Sequence, residues 1–238
     1  MKKAYVISLI LFALVGLVSC GEVPGQPPIA QDPPQQGSGP SSLPPAPSSP
    51  PPQGEIVLQE TFDVLGENWA VLDTEQVPGE QSYWYAEAGV LVQGGTTMDM
   101  DSVDPGYLIV SVADWTDYTV RANIYVETND EVGLIFRVNQ DGFYRFRMRS
   151  AEFDGPYNMG LDLYQEERYT VLWHDLGEGF PLEQWFTLEI KVTGGTFTVS
   201  MDGQEIAVVQ DTTFPTGGIG VFAWSERGAY FDNVMVAR

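Results

Sequence analysis

Over Phe143 to Ser150 the chain reads FYRFRMRS, which sets Arg145, Arg147 and Arg149 at every second position. A guanidinium fork bonds hydroxyls and holds carboxylates bidentately, so three of them on one side of a short segment form a candidate binding surface. Arg137 lies just upstream, and four of the eight arginines fall within 13 residues of a 238-residue chain whose formal net charge is -22. Downstream, LDLYQE places Asp162, Tyr164 and Glu166 in alternation with Leu161 and Leu163. Two arrangements follow from these residue types. Either the acids pair with the arginines as a cross-strand ladder, or Tyr164 and the arginines hold a sugar, the ring stacking on a pyranose face and the forks reaching hydroxyls. A uronic acid would suit such a face particularly well.

Both arrangements require strands. Tyr118, Val120, Ala122, Ile124 and Val126 alternate with Thr119, Arg121, Asn123, Tyr125 and Glu127, and Phe186 to Val192 and Phe197 to Met201 repeat the pattern. That is the period-two signature of a strand with one buried face. Turn signals separate the runs: Asn139-Gln140-Asp141-Gly142, Gly194-Gly195, Asp202-Gly203 and Thr216-Gly217-Gly218. No window carries a helical stripe, so the expected class is all-β, an antiparallel two-sheet sandwich. Within it Tyr144, Phe146 and Met148 face the core and the three arginines face away. Arg137 is expected on that same outer side, opposite Leu134, Phe136 and Val138. The tryptophans read as core or rim. Trp173 shares parity with Tyr169 and Val171 and is placed in the core, whereas Trp224, at the edge of a loop, is the ring best placed to reach a rim pocket.

The ends of the chain differ from this domain. Lys2 and Lys3 precede an apolar run that ends at Leu17-Val18-Ser19-Cys20, too short for a membrane span and flanked like a secretory leader. The end of that run resembles the lipobox of bacterial lipoproteins, which implies a leader over residues 1–19 and lipid on Cys20, the one cysteine of the chain. Residues 20–54 hold 12 of the 17 prolines and almost no branched or aromatic side chains. They are expected to stay a disordered, semi-stiff tether reaching about 100 Å. The folded domain is expected over residues 55–238, where 31 acids face 9 bases. That balance argues against nucleic acid and anionic headgroups as partners. The expected localisation is exported and membrane-anchored, through the N-terminal lipid only, at the cell surface or in the periplasm.

GLIFRVNQDGFYRFRM, WFTLEIKVTGGTFTVSMDGQEI, FPTGGIGVFAW and AYFDNVMV, in that order, together with an early Glu60-Thr-Phe-Asp63 and Trp69, resemble the concanavalin A-like lectin and glucanase superfamily in its laminin-G-like bacterial branch. The resemblance covers nearly all of residues 56–237 and implies a jelly roll. Its overall pattern is also similar to the bacterial domain associated with 3-keto-disaccharide hydrolysis, without a catalytic set that transfers residue by residue. Members include sugar-binding modules, glycosidases, lyases and adhesion domains, so fold alone leaves the role open.

The glucanases of this fold carry a Glu-x-Asp-x-(x)-Glu strand. Glu152-Phe-Asp154 lacks the last acid, Asp99 and Asp101 lack a third member, and His174 stands alone. A non-catalytic module that binds polysaccharide or glycoconjugate is therefore preferred over an exported hydrolase or lyase, or a protein-binding adhesion domain. In the last strand Phe231, Val234 and Val236 can all point inward only around a bulge at Asp232-Asn233, which suits calcium's hard oxygen ligands. The resemblance implies a structural Ca2+ there, held by Asp63 and Asp232 with Glu60.

Overall fold

The structure is a computed structural model that describes residues 43–48, 50–73, 82–95, 106–110, 113–150, 157–224 and 228–238. Cys20 and the leader, residues 20–42 of the tether, the Asp99–Asp101 pair and Glu152–Asp154 lie outside the described residues.

Fifteen strands are described: β1 (Ile56–Glu60), β2 (Trp69–Asp73), β3 (Tyr83–Glu87), β4 (Val90–Gly95), β5 (Gly106–Val110), β6 (Tyr118–Val126), β7 (Glu131–Asn139), β8 (Gly142–Arg149), β9 (Met159–Gln165), β10 (Arg168–Asp175), β11 (Phe186–Thr193), β12 (Thr196–Met201), β13 (Gln204–Gln210), β14 (Gly218–Trp224) and β15 (Ala229–Ala237). They form two antiparallel sheets, as the alternation requires. An eight-stranded sheet runs β13-β12-β11-β6-β15-β4-β3, with β1 added on β15. A seven-stranded sheet runs β10-β9-β8-β7-β14-β5-β2.

The inner faces interlock into one core. Val120, Ala122, Ile124, Phe186, Leu188 and Ile190 from one sheet meet Leu134, Phe136, Tyr144, Phe146 and Val221 from the other, all fully buried. Across the interface Phe136 meets Phe197 edge-on at 4.9 Å, the arrangement ring quadrupoles favour. The turn at Asp202-Gly203 has positive φ at both residues, 49° and 78°, as the right-handed twist of a two-residue hairpin demands.

Of the register slips in the described strands, three move residues that matter. In β15 the register slips between Asp232 and Met235, and Phe231, Val234 and Val236 are all fully buried, as the sequence spacing requires. In β10 it slips between Val171 and Trp173. In β7 it slips between Phe136 and Asn139, where Arg137 takes a left-handed φ of 54°.

The last slip corrects the placement of Arg137. Ile135 and Val138 now share the outer side with Phe143 and Phe222, while Arg137 is 1% exposed. Its guanidinium donates to the carbonyls of Trp115 at 3.2 Å and Gly194 at 2.9 Å. Burial pulls its pKa below the ordinary arginine value.

Within the span expected to be tether, Leu43 and Ala46 are half-buried and Pro52 is buried, and Leu43 packs on the eight-stranded sheet.

Candidate functional site

The arginine face belongs to the outer side of the seven-stranded sheet. Pairing of β8 with β9 sets Arg145 opposite Asp162 and Arg147 opposite Gly160, while pairing with β7 sets Arg149 opposite Glu131. Asp162 Oδ2 accepts from Arg145 Nη2 at 2.7 Å and from Arg147 Nε at 2.8 Å. Glu131 Oε2 accepts from Arg149 Nε at 2.8 Å and, more weakly, from Arg147 Nη1 at 3.4 Å. The result is a continuous ladder, Arg145–Asp162–Arg147–Glu131–Arg149, with Arg147 as its bridge and three positive charges over two negative.

The ladder is layered. The carboxylate side chains are 2% and 6% exposed, whereas those of Arg145, Arg147 and Arg149 are 10%, 14% and 21% exposed. Acids lie beneath and guanidinium groups above.

Rings hold the forks in place. Arg145 sits 4.1 Å over Tyr169 and 5.2 Å over Phe222, and Arg149 lies 5.7 Å from the Trp224 ring. Such contacts favour the flat guanidinium over a lysine. Tyr164 supports the platform from the side, stacked on Phe143 at 4.8 Å and against Tyr169 at the same distance. Gly160 clears space for the bridge. A Cβ there would stand 2.8 Å from Arg147 Nη2 and 2.9 Å from its Cζ, so any larger residue displaces the guanidinium.

Together Glu131, the three arginines, Asp162, Tyr169, Val171 and Trp224 line a shallow depression of about 360 Å3, at the small end of ligand sites. Two buried polar atoms on this face, Asp162 Oδ1 and Trp224 Nε1, have no hydrogen-bond partner among the described residues.

A family model for the 3-keto-alpha-glucoside-1,2-lyase-like domain matches residues 47–237. The chain belongs to that family. No curated protein matches the sequence. Among solved structures the lyase-like domain resembles the carbohydrate-binding module CBM66 from Bacillus subtilis, at 15% identity and a TM-score of 0.55 over 72% of this chain and 96% of that one. It also resembles a beta-1,3-glucanase from Mycobacterium marinum, at 12% identity and a TM-score of 0.50 over 78% and 100% of the two chains. A third is the exoplasmic/lumenal domain of VIP36 in its Ca2+/Man2-bound form, at 13% identity and a TM-score of 0.51 over 76% and 86%. At such identities the likeness establishes the concanavalin A-like fold, which carbohydrate-binding modules, lectins and glycoside hydrolases share.

Of the residues singled out in the sequence, Arg145, Arg147, Arg149 and Trp224 are brought together and Tyr164 supports them. Arg137 is not among them. Glu166 reaches Arg168 at 3.3 Å in an exposed pair instead of joining the ladder. His174 lies tilted against Tyr157 with ring centroids 3.9 Å apart, does not line the depression and stays exposed. Glu131, Tyr169 and Val171 escaped the sequence reading. The bulge in β10 turns both Leu172 and Trp173 to the core and leaves Tyr169 and Val171 on the outer face, 37% and 52% exposed. Glu131 had one usable signal, its odd-number parity with Ile135, once the β7 bulge is known.

Among the described residues, the oxygens of Glu60 and Asp232, two of the expected calcium ligands, are engaged within the protein. Glu60 spends Oε1 on the Phe62 amide and Oε2 on Trp69 Nε1, both at 3.2 Å, and Asp232 spends both oxygens on Asn233. Among the described residues no group of three His, Cys, Asp or Glu side chains is arranged to hold a metal.

Burial, with a further push from Asp63 against the opposing Asn233 amide, raises the Asp232 pKa. An acid whose folded pKa is raised opposes folding while ionised, and the penalty disappears once pH falls below the unfolded value of about 3.9. Asp232→Asn is therefore expected to raise the melting temperature near neutral pH, with the difference closing below that value. A melting temperature that falls, and is restored for wild type alone by calcium, would reinstate the cage.

Proposed function

We propose that the domain binds a glycan on the arginine face, with Arg145, Arg147 and Arg149 donating to sugar hydroxyls or a sugar carboxylate and Trp224 and Tyr169 supplying stacking rings. The observation that carries this is the layering: guanidinium groups open to the depression, with their counter-ions sealed beneath. A buried ladder is a poor investment in stability, since well-packed apolar residues of the same volume do as well or better. It is a good way to hold donors rigid before a ligand arrives, which spares the ordering cost of binding.

The same layering weighs against acid–base work by Glu131 and Asp162, which border the depression but keep side chains only 6% and 2% exposed, each paired with guanidinium groups. Screening the full chain against neutral and uronic-acid glycans tests the proposal. Arg147→Ala and Trp224→Ala should each weaken the best ligand by at least ~10-fold, the scale of one charge-assisted hydrogen bond or one stacked ring. Undiminished binding in both variants would remove this face from consideration.

The family supplies a second reading, elimination from a 3-keto-α-glucoside. The C3 ketone acidifies the C2 proton; a base takes it, the electron pair forms the enolate and then the C1–C2 double bond, and the C1 oxygen departs with the aglycone. The arginines are suitable donors to the enolate oxygen. Release of aglycone from such a substrate by wild type, abolished in Arg147→Ala, would make the binding face an active site.

For the chain's placement, the reading is export with lipid on Cys20. Labelled palmitate entering wild type and not Cys20→Ser is the expected result, and equal labelling would reject it.

A further inference from the structure

The opposite face of the sandwich carries a second recognition surface. Three carbonyls of the proline-rich segment, at a spacing of three residues, are each taken by a side-chain donor of the eight-stranded sheet. Trp185 Nε1 donates to Pro44 O at 2.6 Å, Asn123 Nδ2 to Pro47 O at 2.9 Å, and Arg121 Nη1 to Pro50 O. The least exposed described positions fall in phase with that spacing: Leu43 and Ala46, three residues apart, are half-buried, and Pro52, six further on, is buried. Three residues per turn is the period of polyproline II, whose backbone has no internal hydrogen bonds and keeps its carbonyls available.

The chemistry of the two partners is matched. A proline lacks an N–H and cannot extend a sheet, so the segment offers acceptors and apolar edges. The face offers donors and rings. Leu43 packs with Tyr85 and Trp185 on the cluster of Val90, Val92, Tyr125 and Tyr230. The donors have partners of their own within the sheet: Arg121 is held by Glu189 at 2.9 Å from Nε, and the Asn123 amide is oriented by a hydrogen bond from Thr187 Oγ1 at 3.1 Å.

We propose that this face is a polyproline-recognition groove whose ligand is the chain's own segment, docked in cis and releasable. Release would lengthen the spacer by about 30 Å at 3.1 Å per residue. It would not disturb the arginine face, which lies on the other sheet.

The test uses the full chain with residues 43–50 replaced by alternating Gly and Ser. A free peptide of residues 41–53 should bind this variant at least ~10-fold more tightly than it binds wild type, whose groove is filled by a segment at roughly millimolar effective concentration. Trp185→Phe in the replaced chain, which removes the N–H and keeps a ring, should weaken the peptide about fivefold, the worth of one hydrogen bond. A folded replacement variant that ignores the peptide, or equal binding by both chains, would overturn the proposal. Should the replacement fail to fold, hydrogen exchange at the Trp185 indole N–H of wild type decides. At least ~10-fold slowing relative to a free indole supports docking, in line with an opening cost near 1.4 kcal/mol, and an unslowed rate refutes it.

Discussion

Replacing Asp162 with alanine should lower the unfolding free energy by about 3–5 kcal/mol, the cost of removing one partner from a buried ion pair. Asp162 is 1% exposed and one of its oxygens serves two guanidinium groups, so the substitution takes a counter-charge from both at once and leaves Arg147 only the weaker 3.4 Å contact with Glu131. Both are held where they are, with little of either side chain exposed: Arg145 lies against the Tyr169 and Phe222 rings, and Arg147 over Gly160. Asp162→Asn, which keeps an acceptor and loses the charge, should fall between the two.

Urea denaturation at constant slope is the measurement, since a changed slope would signal an altered denatured state. A loss under about 1 kcal/mol would show that the ladder behaves as an exposed pair, screened by solvent. The glycan proposal would then lose its main support. A rigid donor array needs its counter-ions to be hard to remove.

Much of this architecture was legible in the sequence, because side-chain parity in a strand is a local property. Phe186 to Val192 and Tyr144 to Met148 declared their buried faces by alternation alone, and the turn residues separated one strand from the next. The bulge at Asp232-Asn233 was legible too, since three apolar residues at an odd spacing admit no other solution.

The other two bulges were not. At Arg137 and between Val171 and Trp173 the flanking residues are apolar on both sides of the slip, so a one-residue shift leaves the hydrophobic pattern intact while exchanging the faces. Arg137 was lost to the site by this route, and Tyr169 was gained. Glu131 has a related cause. Its pairing with Arg149 depends on the β7–β8 register, and the bulge at Arg137 alters by one residue what the hairpin turn would set. Docking of the proline-rich segment was invisible for a different reason. Its composition offers too little apolar surface to fold alone, and says nothing of a surface elsewhere in the chain that supplies the donors it lacks.

The bulge at Arg137 also yields a sharper expectation than simple loss of stability. Arg137→Ala should destabilise the domain by about 2–4 kcal/mol, through the emptied space of a fully buried side chain and the two carbonyl hydrogen bonds it leaves. Part of the gross loss is offset, because the native guanidinium is buried with its Nε unpaired and with a lowered pKa, and that penalty is relieved on truncation. The backbone then separates alanine from glycine. In an ordinary strand alanine is the more stable of the two, but at a φ of 54° the order should reverse, since the left-handed region costs an L-residue roughly 1–2 kcal/mol that glycine does not incur. Arg137→Gly is thus expected to unfold at higher urea than Arg137→Ala, with Arg137→Lys above both because its aliphatic stem and one donor survive. Glycan affinity per folded molecule should be the same in all three, as none of them touches the arginine face. A drop in affinity without a drop in stability would return Arg137 to the binding site, and an alanine variant more stable than the glycine one would mean that the left-handed turn relaxes when the side chain is gone.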